Sequence, residues 1–101
     1  MAQFDVYRNS NQATAEFFPY LLDVQHEILS SLKTSVVVPL GVGIEPIRHL
    51  NPMFSIEGKN VVMSTADMAG IPLSACGEKV ASLKERRNEI VDALDFLVGG
   101  F

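Results

Sequence analysis

The apolar period changes once along the chain, and that single change limits the folds open to it. Up to about residue 80 the apolar residues come in short runs of strand type. Beyond that point Leu83, Ile90, Leu94 and Leu97 return at seven-, four- and three-residue steps, the stripe of a helix lying on a core. A chain written this way is expected to be mainly β, strand-rich over 1–80, with one C-terminal helix at about 83–98.

The strand-type runs differ in quality. "QFDVYR" alternates, with Phe4, Val6 and Arg8 on one side and Gln3, Asp5 and Tyr7 on the other, as a half-buried strand does. "NSNQAT" follows as a polar loop. "EFFPYLLDVQ" reads as a strand with an edge or bulge at Pro19, because proline cannot donate to a central ladder. "SVVVPL" reads as a short strand ending at Pro39, and "GVGIEPIRHLNP" as a long loop. "MFSIEGKNVVMST" is a hairpin signal with Glu57-Gly58-Lys59-Asn60 as its connection. "DMAGIPLSACG" predicts a further strand, interrupted near Gly70 and Pro72.

The helix carries its own start and stop signals. Ser82 and Glu85 form S-x-x-E, the pattern of a capping box. Gly99 and Gly100 supply a positive-φ stop. Its charges run against the helix dipole, with Lys84, Arg86 and Arg87 at the start and Asp92 and Asp95 near the end. Arg86 facing Glu89 across one turn offsets part of this cost. Charges placed against local preference mark either a face shaped for a partner or a solvated face that tolerates a small penalty.

The 101 residues suit one domain, 1–101, and 48% of them are apolar. That is a high share for so small a chain, and an identical partner is the simplest way to bury the surplus. A net charge of −4 with eight lysines and arginines spread along the chain offers no basic face for direct nucleic-acid binding. The single cysteine, Cys76, excludes an internal disulfide and fits a reducing compartment. The densest apolar stretch, "SVVVPLGVGI", is too short to span a membrane, and "MAQFDVYRN" lacks an apolar signal core, so the expected location is the cytoplasm.

Catalytic chemistry finds little to work with. Cys76 or a serine would need a base, and His26 and His49 are the candidates, neither within a motif. A lone cysteine after an apolar strand reads as a small buried hydrophobe. The two histidines lie too far apart in sequence to suggest a metal site, and "GVG" at 41–43 is a poor phosphate loop. The expectation is a protein that is no enzyme, uses no cofactor or metal, and acts by binding.

The chain then ends "NEIVDALDFLVGGF", an aromatic residue after two glycines. Together with "NP" before a hairpin, "TADMAGIP", "GEKVASL" at the helix opening and, earlier, "QFDVY", "DVQ" and "VVVPL" in order, this chain resembles the CcdB family. The resemblance implies an SH3-like barrel, a twisted antiparallel sheet with a small wing of strands, and a homodimer. It implies the toxin of a toxin–antitoxin module, of the kind used in plasmid maintenance. Such a toxin sets its paired helix ends against the gyrase A subunit, traps the cleaved-DNA complex, and is neutralised by a CcdA-like antitoxin.

The resemblance breaks where the best-known members end in Trp-Gly-Ile, since Gly99, Gly100 and Phe101 stand there. The cation–π contact of that tryptophan with a gyrase arginine has no ring at Gly99. Either Phe101 delivers an aromatic face from two residues on, or gyrase is gripped along the helix face at Arg87, Val91 and Asp95, or Phe101 only packs at the dimer seam. The expected gyrase-binding residues are therefore Gly99, Gly100, Phe101, Asp95, Val91 and Arg87. No antitoxin contact is assigned; exposure alone suggests 41–49 and 9–14. Two alternatives stay open: a ribonuclease toxin on the same fold, and a non-toxic interaction domain.

Overall fold

The computed structural model describes residues 2–100. Its strands are β1 (Asp5–Asn9), β2 (Tyr20–Asp23), β3 (Thr34–Gly41), β4 (Met53–Ile56), β5 (Lys59–Met63), β6 (Ala69–Pro72) and β7 (Cys76–Ser82), followed by the helix α1 (Arg87–Gly99). All pairings are antiparallel in the order β4-β5-β3-β2-β1-β7, with β6 also on β3. The sheet curls into the half-barrel expected of the SH3-like class. Among the described residues no helix is long and apolar enough to cross a membrane.

β3 organises the sheet. It pairs with β2 along one side from Val37 to Leu40, while its other side meets β6 from Thr34 to Val37 and β5 at Leu40 and Gly41. Pro39 therefore sits inside the strand, not at its end as the sequence suggested. Its carbonyl accepts from the Ser64 N–H at 3.0 Å, on the side where the neighbours change. A strand residue turns its nitrogen to the same side as its carbonyl, so the missing N–H falls between two ladders and costs no pairing. Pro19 differs from expectation too. It precedes β2, accepts from Asn9 N–H at 3.0 Å, and leaves β2 a central strand between β1 and β3.

β1 is not half-buried. Phe4 and Val6 face the main core, but Asp5 and Tyr7 are also buried. The second face of the sheet includes Leu21, Val37 and Pro39, which with Phe18 and Ile71 line an open, mainly apolar pocket of about 290 Å³.

The β4–β5 connection is two residues long, not four. Glu57 (φ 52°) and Gly58 (φ 79°) both adopt left-handed backbone, the two-positive-φ form whose twist matches paired strands, and Lys59 already pairs with Ile56. Gly70 and Pro72 lie within β6 instead of interrupting it; the break comes after them, in a 3-10 turn at Leu73–Ala75. "GEKVASL", expected to open the helix, forms most of β7. This strand pairs β1 through two register irregularities and buries Val80 and Ala81 side by side only partly, so it shows no clean alternation.

The helix begins later than the expected residue 83. A 3-10 turn at Lys84–Arg86 precedes α1, and neither start has a side-chain cap. Ser82 belongs to β7 and accepts from Lys84 N–H at a long 3.4 Å, so no capping box forms. At the other end Gly99 is helical and Gly100 alone turns left-handed, at φ 79°, with its N–H on the Phe96 carbonyl at 2.8 Å. Leu83, Ile90 and Ala93 join Phe4, Val6, Tyr20, Leu22, Val38, Leu40, Phe54, Ile56, Val61 and Met63 in one core, which fastens the helix to the inner face of the sheet.

Candidate functional site

Arg87, Val91, Asp95 and Gly99 follow one another at four-residue intervals along α1, so they form one row on the helix. Arg87, Asp95 and Gly99 are exposed, while Val91 is half-buried against the core. The row is thus a seam between packed and open helix surface, and Val91 fixes its height above the sheet. Phe101 lies outside the described residues.

Each end of the row has apolar side chains in the open. At the far end Val98 is 84% exposed. At the near end Arg87 shares an open cleft of about 330 Å³ with Gln3, Phe4, Glu27 and Lys84. Glu27 begins a 3-10 turn, Glu27–Leu29, whose Ile28 is 80% exposed; Leu29 and Leu32 are exposed as well. His26 caps this turn by accepting from Ile28 N–H at 3.1 Å. Exposed apolar groups flanking a charged row are surface that association would bury. Sequence reasoning missed Ile28 and its neighbours. The available signal was an apolar pair inside a polar connection between two strands.

The helix start is held by Arg86. Its Nε and Nη2 donate to the two carboxylate oxygens of Glu89, at 2.5 and 2.8 Å. Its guanidinium carbon stands 4.8 Å from the centroid of the buried Phe54 ring. Hydrogen bonding to Arg86 holds the Glu89 carboxyl below the usual carboxylate range, and Glu89 in turn raises the Arg86 pKa. The positive charge that the helix dipole disfavours is therefore matched locally, with the carboxylate placed in the first turn, where the dipole favours it.

On the other flank His49, at φ 69°, sets its ring 6.0 Å from Phe96. His49 shares a hollow of about 200 Å³ with Pro52, Glu89 and Asp92, and a second of about 240 Å³ with Asp92, Asp95 and Phe96. In the exposed segment 41–49, Gly41 belongs to β3 and is buried, and Ile44 is half-buried. Segment 10–14 is exposed.

The densest polar cluster lies elsewhere. Tyr20 donates to Glu57 at 2.7 Å, Arg8 donates to Glu57 at 2.8 Å, and Arg8 also donates to Glu78 at 2.7 Å. The Tyr20 hydrogen bond first, then Arg8, lowers the Glu57 pKa, while burial raises that of Tyr20. A carboxylate so stabilised is a weak base near neutral pH, and the guanidinium already serves two carboxylates. The group reads as a clamp between β1, β7 and the hairpin turn. Cys76 is half-buried, and burial, then the charge of Asp23, pushes its thiol up. Among the described residues neither histidine is hydrogen-bonded to Cys76 or to a serine, and no three His, Cys, Asp or Glu residues are grouped to hold a metal ion. The family described as CcdB protein has a model that matches residues 3–100.

Proposed function

The chain belongs to the CcdB family, which implies a gyrase-targeting toxin of a toxin–antitoxin module, and from that premise we propose how it acts. The protein works as a homodimer and not as a catalyst. Each protomer sets the Arg87–Val91–Asp95–Gly99 row and the residues after it against the gyrase A subunit. The toxin thereby stabilises the state in which gyrase holds cleaved DNA, so resealing fails and replication stalls. A CcdA-like antitoxin folds onto the toxin and removes it.

The family match over 3–100 carries the reading of target and module. The helix row supports the reading of the grip, because Arg87, Asp95 and Gly99 lie open along it and Val98 is exposed beside its end. With no ring at Gly99, more of the grip falls on the helix face. The deciding experiment incubates purified protein with gyrase and supercoiled DNA. Accumulated double-strand breaks after denaturation are expected; undisturbed supercoiling without breaks would overturn the proposal. Parallel incubation with RNA tests the other chemistry, since metal-free cleavage would point to a ribonuclease.

A further inference from the structure

We propose that Arg86 is the positioning residue of the partner-binding face: it touches no partner but sets the angle at which α1 presents the row. The inference rests on the proposed function for what the row binds, and on geometry alone for how the row is held.

Four contacts converge on one guanidinium. Its central carbon lies over the ring of Phe54 of β4, which is 2% exposed. Two of its N–H groups engage Glu89 in the first turn of α1. Nη2 also points at the Met53 carbonyl of β4, at 3.5 Å. A planar fork held at Nε and Nη2 and set over a ring is constrained in a way a lysine ammonium is not. The helix start has no side-chain cap to do this work, and the preceding turn is 3-10. Leu83, Ile90 and Ala93 fix by burial which face of the helix meets the sheet. Between Leu83 and Ile90, however, every residue is polar, so the first turn is fastened to β4 by the Arg86 guanidinium over Phe54 with its fork on Glu89.

Leverage makes that direction matter. From Arg86 to Gly99 the helix runs ~20 Å, so a tilt of ~10° at its start shifts the far end by ~3 Å. A displacement of that size separates the end of the row from any pocket built for it. Arg87 follows Arg86 directly, and the rest of the row follows Arg87 every fourth residue, so one clamp sets all of them.

The test compares the parent with Arg86→Lys, which keeps the charge but loses the planar fork. Nitroxide labels at positions 60 and 98, in a Cys76→Ser background, report the distance from the sheet to the helix end. The distance distribution is expected to broaden in Arg86→Lys, and affinity for the purified gyrase A fragment to fall about tenfold, with the denaturation midpoint little changed. Glu89→Gln is expected to broaden the distribution less, because its amide still accepts one of the two bonds. An unchanged distribution in Arg86→Lys, or an affinity within about twofold of the parent, would overturn the inference. If the parent itself failed to bind the gyrase fragment, the proposed function would fall, and the distance measurement would still decide whether Arg86 orients the helix.

Discussion

Asp5 and Asp23 are buried together on the second face of the sheet, at 3% and 2% exposure, one step beyond the Val6–Leu22 pair that joins their strands. Lys79 reaches Asp5 at 3.3 Å, while Asp23 is held by the Ser35 hydroxyl at 2.8 Å and the Gln25 N–H at 3.0 Å. Burial pushes the Asp23 carboxyl above the ordinary range, and the charge of Asp5 adds to it. Two acids in one layer with one lysine have a consequence for pH.

A carboxyl whose folded pKa is raised binds more protons in the folded than in the unfolded chain between the two values. Stability then falls as pH rises from the ordinary aspartate value up through the raised one. Urea denaturation between pH 4 and 7 is expected to show that decline in the parent and a flatter profile in Asp23→Asn. Asparagine keeps an acceptor for Ser35 and Gln25, so the variant isolates the charge. Matching profiles would refute the assignment.

Ile90 and Val98 lie in one helix and should behave oppositely. Ile90 is fully buried, so Ile90→Ala should cost about 2–5 kcal/mol of stability through lost burial and the cavity left behind. Val98, at 84% exposure, should cost under ~0.5 kcal/mol when replaced by alanine. Guanidinium titrations monitored by circular dichroism make the comparison.

Gly58 tests the hairpin turn. Nothing lies within 4 Å of an added side-chain carbon there, so the penalty of substitution is purely conformational. Gly58→Ala is expected to lose roughly 1 kcal/mol at the positive φ of 79°, and Gly58→Asn less, because asparagine tolerates that region. Equal midpoints for all three proteins would remove the left-handed turn from the account.

The end of the chain and the helix row can be separated by affinity. Removal of Gly99 to Phe101 is expected to abolish growth arrest while leaving antitoxin binding in place. Phe101→Ala should weaken gyrase A binding about 2- to 30-fold if its ring supplies a cation–π contact of ~0.5–2 kcal/mol. Asp95→Lys should weaken it in a salt-dependent way if the row is the main grip. An Asp95→Lys protein that binds as well as the parent, with Phe101→Ala impaired, would move the site off the helix face.

Much of the fold was legible along the chain. The strand-rich first part and the helix with Ile90 facing the core follow from apolar period, which depends only on neighbours in sequence. The readings that failed have a common cause. Pro39 looked like a strand end because a proline lacks a donor, yet its nitrogen faces the gap between β6 and β5. Asp5 and Tyr7 looked exposed because alternation reports one buried face, and it cannot tell when the other is buried as well. β7 went unread because an edge strand with irregular register buries side chains without a fixed step.

The site divides in the same way. The row from Arg87 to Gly99 could be written down from four-residue spacing, since a helix carries its own geometry. Glu27 sharing a cleft with Arg87, and Arg86 set over Phe54, could not, because each joins segments tens of residues apart. Local periodicity therefore determined which elements form and which helix residues share a face. Which strand lies against which, where a missing donor does no harm, and how the helix is aimed were decided by tertiary packing, because those depend on what the chain brings back from far away to fill the remaining space.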